Sequence, residues 1–120
     1  MPAFTINQAL PTMNEIIAAS KKHWATYSKM KKEYNNLVVA AICDAGCVPL
    51  TPHPRVSISC TWYENGRKRD PDNVFAGIKF VLDAMVDAGV VVNDTRDNIS
   101  TIMHKIIISK TRKVVVEYMV

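Results

Sequence analysis

Residues 55–63 alternate without a break: Val56, Ile58, Cys60 and Trp62 fall on one side, and Ser57, Ser59, Thr61 and Tyr63 on the other. A period of two marks a β-strand with one buried face. Such a strand belongs in a sheet and needs cover on its apolar side, which excludes an all-helical fold. Phe4-Thr5-Ile6 is a shorter alternating segment and reads as a first strand. Pro11-Thr12-Met13 then breaks the chain, and Asn14 is the expected N-cap of a helix with Glu15 in its first turn. The helical pattern runs to about Asp44, where Gly46 is a stop. A helix of about 30 residues would be about 45 Å long.

On a helical wheel, Ile16, Tyr27, Met30, Tyr34, Leu37, Val38 and Ala41 share one side of this helix. Lys21, Lys22, Lys29 and Lys32 gather on the other. Those lysines read first as a solvated face; a long helix with one basic face could also lie along a DNA backbone, where each neutralised phosphate releases counterions. Residues 48–54 hold Pro49, Pro52 and Pro54 and form a connector before the alternating strand. After it, Pro71 fits a helix start, and a second helix runs to about Ala88 with Gly89 as its stop. Its apolar side is Val74, Phe75, Ile78, Val81, Leu82, Met85 and Val86. Asp72, Ala76, Lys79 and Asp83 lie opposite, within about 60° of one another. Phe80 falls on that polar side and is a candidate for dimer contact or for insertion at a DNA branch point.

A polar loop at 93–98 leads to an isoleucine-rich strand at 101–109 and a last alternating strand at 113–120. Residues 110–112 are a short turn, so these two strands are expected to form a hairpin. The order is β-α-β-α-β-β. It predicts one domain, 1–120, of mixed α/β (α+β) class, with about four strands in a mixed sheet and two main helices.

Composition bounds the partners. The chain has 120 residues, a net charge of +4, and no apolar stretch long enough to span a membrane. A mildly basic balance allows a polyanion partner. Met1-Pro2-Ala3-Phe4 has neither the basic start nor the apolar run of a secretory signal. Three cysteines, Cys43, Cys47 and Cys60, have no framework spacing, so reduced thiols and an intracellular setting are expected.

The most informative chemistry lies in Arg67-Lys68-Arg69-Asp70-Pro71-Asp72-Asn73. Three cations run directly into two carboxylates, and Asp94 returns after one helix. Oxygen donors without histidine or cysteine suit a hard cation such as Mg²⁺, for which Mn²⁺ can substitute. Such a cation polarises a phosphate and activates a bound water. Lys79 would then offset charge developing on the phosphate. Arg67, Lys68 and Arg69 would draw a DNA backbone in against the repulsion of the acids. The bland alternatives are that the aspartates cap a helix and that Lys79 and Asp83 form an i,i+4 pair.

Taken together, Arg69-Asp70-Pro71-Asp72-Asn73, Ile78-Lys79, Leu82-Asp83-Ala84-Met85, Gly89 and Asn93-Asp94 resemble the RusA family of Holliday-junction resolvases. The resemblance is close over 67–97 and looser elsewhere. It implies a homodimeric, Mg²⁺-dependent endonuclease that resolves four-way DNA junctions by paired symmetric nicks during recombination and repair. It further implies the cytoplasm of a bacterial cell or phage-infected host as the setting. By position, Asp70, Asp72 and Asp94 would hold the metal, Lys79 would be the essential lysine, and Arg69 a DNA contact. Asn93 stands where some members carry a second acid. Two other readings compete: a general nuclease of restriction type, echoed faintly in Pro71-Asp72 and Asp94-Thr95-Arg96, and a non-catalytic DNA-binding phage protein.

Overall fold

The computed structural model describes residues 2–120. Its elements in chain order are β1 (Ala3–Ile6), α1 (Met13–Lys22), α2 (Trp24–Asp44), β2 (Val56–Glu64), α3 (Pro71–Phe75), α4 (Ile78–Asp87), β3 (Ile99–Ile108) and β4 (Lys113–Met119). The class is α+β, with one four-stranded mixed sheet in the order β1-β4-β2-β3. Among the described residues, no helix is long and apolar enough to cross a membrane.

The alternation of β2 positions the whole sheet. Val56, Ile58, Cys60 and Trp62 are all buried. The strands on either side keep the same parity: Cys60 lies opposite His104 of β3 and Val116 of β4. Val114, Val116 and Tyr118, and Phe4 and Ile6 of β1, therefore point to the same side. There they meet Val38 and Ile42 of α2, Val74 of α3, and Phe80, Val81, Ala84 and Met85 of α4 in one core. The helices thus cover one face of the sheet. The other face carries the half-buried Ser57, Ser59, Thr61 and Tyr63.

The expected hairpin between the last two strands does not form. β3 runs parallel to β2 and β4 antiparallel to it, with β2 between them. Residues 109–112 step over the end of β2 instead. Crossing two strand spacings requires about 10 Å, well within the reach of a few extended residues. The strand with the most regular buried face takes the centre, and the exposed β3 is left at an edge.

Both predicted helices are divided. The first is interrupted at His23, which is extended at φ −166° and ψ 143°. His23 Nδ1 accepts from the Ala25 backbone N–H at 3.2 Å and so caps α2. Its entry cap also differs from expectation. Thr12, not Asn14, is the N-cap of α1, in a reciprocal capping box with Glu15. The spacing Thr12-x-x-Glu15 carries that signal in the sequence. Asn14 instead donates its backbone N–H to Asn73 Oδ1 at 2.9 Å, tying α1 to α3.

The second helix tightens between α3 and α4. Gly77, Lys79 and Phe80 donate to Val74, Ala76 and Gly77, respectively, each three residues back. Three-residue closures wind about 20° further per residue than an α-helix, roughly 60° over this stretch. That rotation carries Phe80 from the polar side of the simple wheel into the core, where it is 1% exposed. Its ring lies 5.6 Å from that of Tyr34 on α2. Phe80 is therefore not available for dimer contact or branch-point insertion. Gly77 permits the close approach: a Cβ there would lie 3.0 Å from both Leu10 and the Trp62 ring. The expected stops hold, with Gly46 at φ 69° and Gly89 at φ 79° ending α2 and α4.

Candidate functional site

The loop from β2 into α3 positions the leading candidates. Asp70 takes the N-cap position of α3, with Pro71 at the first helical residue. Its φ of −69° and ψ of 151° are those of a cap, yet its side chain makes no capping hydrogen bond. Asp72 lies in the first turn of α3 and is exposed. Neither carboxylate is in an ion pair among the described residues. Asp70 is thus not spent on a cap, and neither acid is spent on the neighbouring basic run.

The basic run is used unequally. Arg67 and Lys68 are exposed. Arg69 turns back to Glu64, with Nη1 at 3.7 Å from Oε1. Glu64 is the last residue of β2 and is 6% exposed. Its other oxygen accepts from Arg112 Nε at 3.0 Å. At 3.7 Å the Arg69 contact is an ion pair and not a hydrogen bond, so Oε1 has charge compensation but no donor. Glu64 keeps the parity of Val56, Ile58, Cys60 and Trp62, so the alternation of β2, carried on by one residue, points it to the buried side.

Lys79 and Asp83 form the i,i+4 pair on α4, with Nζ 3.6 Å from Oδ2. Asp94 lies beyond α4 and returns to the same helix. It lines a cleft of about 560 Å³ with Asp83 and Asp87, faced by Lys31, Lys32 and Asn35 of α2. The Asn35 side-chain oxygen is buried there without a hydrogen-bond donor. The structure therefore brings Asp94 to the Asp83–Asp87 part of α4, while Asp70 and Asp72 stand at the start of α3. Among the described residues, no group of three or more His, Cys, Asp or Glu is arranged to hold a metal ion. Lys31 and Asp87 are cleft residues that the sequence reading did not single out.

The lysines of the first predicted helix separate. Lys21 and Lys22 end α1, where cations favour the C-terminal dipole, and Lys29 and Lys32 belong to α2. The extended His23 separates the two pairs along the chain. Lys29 pairs with Glu33 at 3.9 Å, both exposed.

Beside α3, His104 of β3 stacks on Phe75 with centroids 4.3 Å apart and planes 13° from parallel. Its Nδ1 accepts from Trp62 Nε1 at 2.9 Å, which places the proton of the neutral ring on Nε2. Burial pushes the His104 pKa below its ordinary value of 6.5. A depressed pKa favours the neutral folded form, so this contribution to stability is complete above 6.5 and is lost as pH falls through the folded value. His104→Phe is expected to lower stability at neutral pH by about 1–3 kcal/mol, because the Trp62 N–H loses its acceptor. It should also flatten the fall in Tm on acidification. Thermal melts of both proteins between about pH 7 and 5 check this; parallel Tm profiles would refute the assignment.

The cysteines hold no cluster. Cys43, Cys47 and Cys60 are all free, and burial pushes the Cys60 thiol up to about 12. No family model matches the chain, and a search of curated proteins finds no match.

Proposed function

We propose that this chain is a structure-selective, metal-dependent DNA endonuclease that resolves four-way junctions as a homodimer, in the manner of the RusA family. The observation that carries the reading is Asp70, which occupies an N-cap position without spending its carboxylate on the cap. With Asp72 exposed in the next turn, two unpaired acids follow directly after a cationic loop. Mg²⁺ is commonly bound through one or two carboxylates, its remaining positions filled by water and substrate phosphate oxygens. The donor chemistry of Asp70 and Asp72 fits that habit; Asp94, which lines the cleft with Asp83 and Asp87, enters as a ligand only through the resemblance. Mn²⁺ has compatible ligand preferences. When bound, such an ion supplies Lewis-acid polarisation of the phosphate and a more acidic water.

The protein's own groups do the rest. Arg67 and Lys68 bring the backbone to the acids, and Asp83 steadies Lys79 on α4. Lys79 offsets charge that builds on the phosphate. Resolution needs two coordinated cuts, which is the reason for two copies. The setting consistent with this activity is the cytoplasm of a bacterium or an infected host.

The test is cleavage in Mg²⁺ of a four-way junction beside a linear duplex of the same arm sequence. Symmetric nicks in the junction, at a rate at least about tenfold above the duplex, are expected; this is a difference of about 1.4 kcal/mol in barrier. Equal cutting of both would favour a general nuclease. No cutting with intact DNA binding would favour a non-catalytic DNA-binding protein.

A further inference from the structure

At one end of the sheet, two loops lock onto a single buried acid. β2 stops at Glu64, β3 stops beside it at Ile108, and β4 starts nearby at Lys113. The Ser109 backbone N–H donates to Glu64 O at 2.8 Å, so the β3–β4 connection is fastened to the start of the β2–α3 loop. Glu64 then takes Arg69 from one loop and Arg112 from the other. On the open face of the sheet, Lys113 Nζ lies 4.7 Å over the Tyr63 ring. Arg67, Lys68 and Lys110 are exposed around this lock.

The end of the sheet thus collects six cations around one carboxylate, in a chain whose net charge is +4. Two arginines are held by Glu64, which leaves Arg67, Lys68, Lys110 and Lys113 as charge without a carboxylate partner among the described residues. Such a patch is suited to a polyanion with regularly spaced charges. The loop that supplies half of it leads directly into Asp70.

We infer that this end of the sheet is a docking surface for the phosphate backbone of DNA, and that the β3–β4 connection, through Lys110 and Lys113, is part of it. The inference rests on the nuclease reading for its choice of DNA, but it concerns binding alone. Glu64 acts as a positioning residue: its pairs with Arg69 and Arg112 hold both loops at this end of the sheet. The six residues are far apart in sequence and become one surface only because 109–112 crosses over β2.

The experiment is a metal-free titration of labelled duplex and four-way junction across a salt series. Lys110→Gln/Lys113→Gln is compared with Arg55→Gln, which removes charge at the opposite end of β2. The double variant should reduce the slope of log K against log salt by about 2, and weaken binding at about 0.1 M salt by roughly tenfold or more. Both DNA shapes should be affected alike, and Lys110→Arg/Lys113→Arg should restore binding. An unchanged slope in the Gln variant, with its Tm intact, would overturn the inference while leaving the nuclease reading standing. Binding that follows the prediction without any metal-dependent cleavage would support the surface and remove the nuclease reading. A wild-type protein that binds neither DNA would overturn both.

Discussion

Asp72→Asn is expected to abolish junction cleavage and to leave junction binding nearly unchanged. The substitution keeps the shape of the side chain and removes its charge, so it tests ligand chemistry without opening a gap. Loss of an outer partner of a metal ligand already costs about 10–100-fold, and a ligand itself should cost more than about 100-fold. The fold should tolerate the change. Asp72 is exposed and pairs with no cation among the described residues. It loses only a favourable position near the α3 N-terminus, worth about 0.3–1 kcal/mol. Asp70→Asn should behave in the same way, since Asp70 has no capping bond to lose. Cleavage is measured in Mg²⁺ and binding without it. Cutting that survives in the purified Asp70→Asn/Asp72→Asn protein would end the assignment.

Glu64→Gln is expected to cost about 2 kcal/mol of stability. Removing one member of a fully buried ion pair typically costs about 3–5 kcal/mol. Here the Arg69 and Arg112 side chains retain 34% and 21% of their exposure, so water recovers part of the loss. The hydrogen bond from Arg112 then goes to a neutral amide oxygen in place of a carboxylate, and the two guanidiniums are left without a counter-charge. In a chain of this size the change corresponds to about 8 °C in Tm. Urea unfolding with an unchanged m-value would show that the native state alone has been weakened. A shift below about 0.5 kcal/mol, typical of an ordinary surface site, would show that Glu64 does not hold the two loops together.

The contrast between these two acids shows what a sequence can and cannot carry. The place of Asp70 and Asp72 at a helix start was legible because Pro71 fixes that start locally. The partners of Glu64 were not, because Arg69 and Arg112 meet it only after the sheet is ordered. The alternation of β2 and the glycine stops of α2 and α4 were equally local, and they hold. The hairpin was a local inference about a global matter: a short turn between two strands does not say which strand lies between them. Phe80 failed for a finer reason. A wheel assumes constant winding, and three tightened closures at 77–80 rotate everything after them. The break at His23 had neither glycine nor proline to announce it. Asp94 does return to α4, as chain order suggested, but to the neighbourhood of Asp83 and Asp87.

The sheet order also sets a timetable for synthesis. β1 has one strand neighbour, β4, and the register joins Ala3 to Glu117 across nearly the whole chain. During translation the first strand therefore emerges with nothing to pair with and must wait for the fourth. α2 and α4 can meet earlier, but the apolar sides of β1 and β2 stay uncovered by a finished sheet until β4 slots between them. Long-range pairing of this kind is slow, and it exposes strand edges while it waits. The isoleucine-rich edge strand β3 is made during that interval, so its unpaired edge is a liability before β4 is in place.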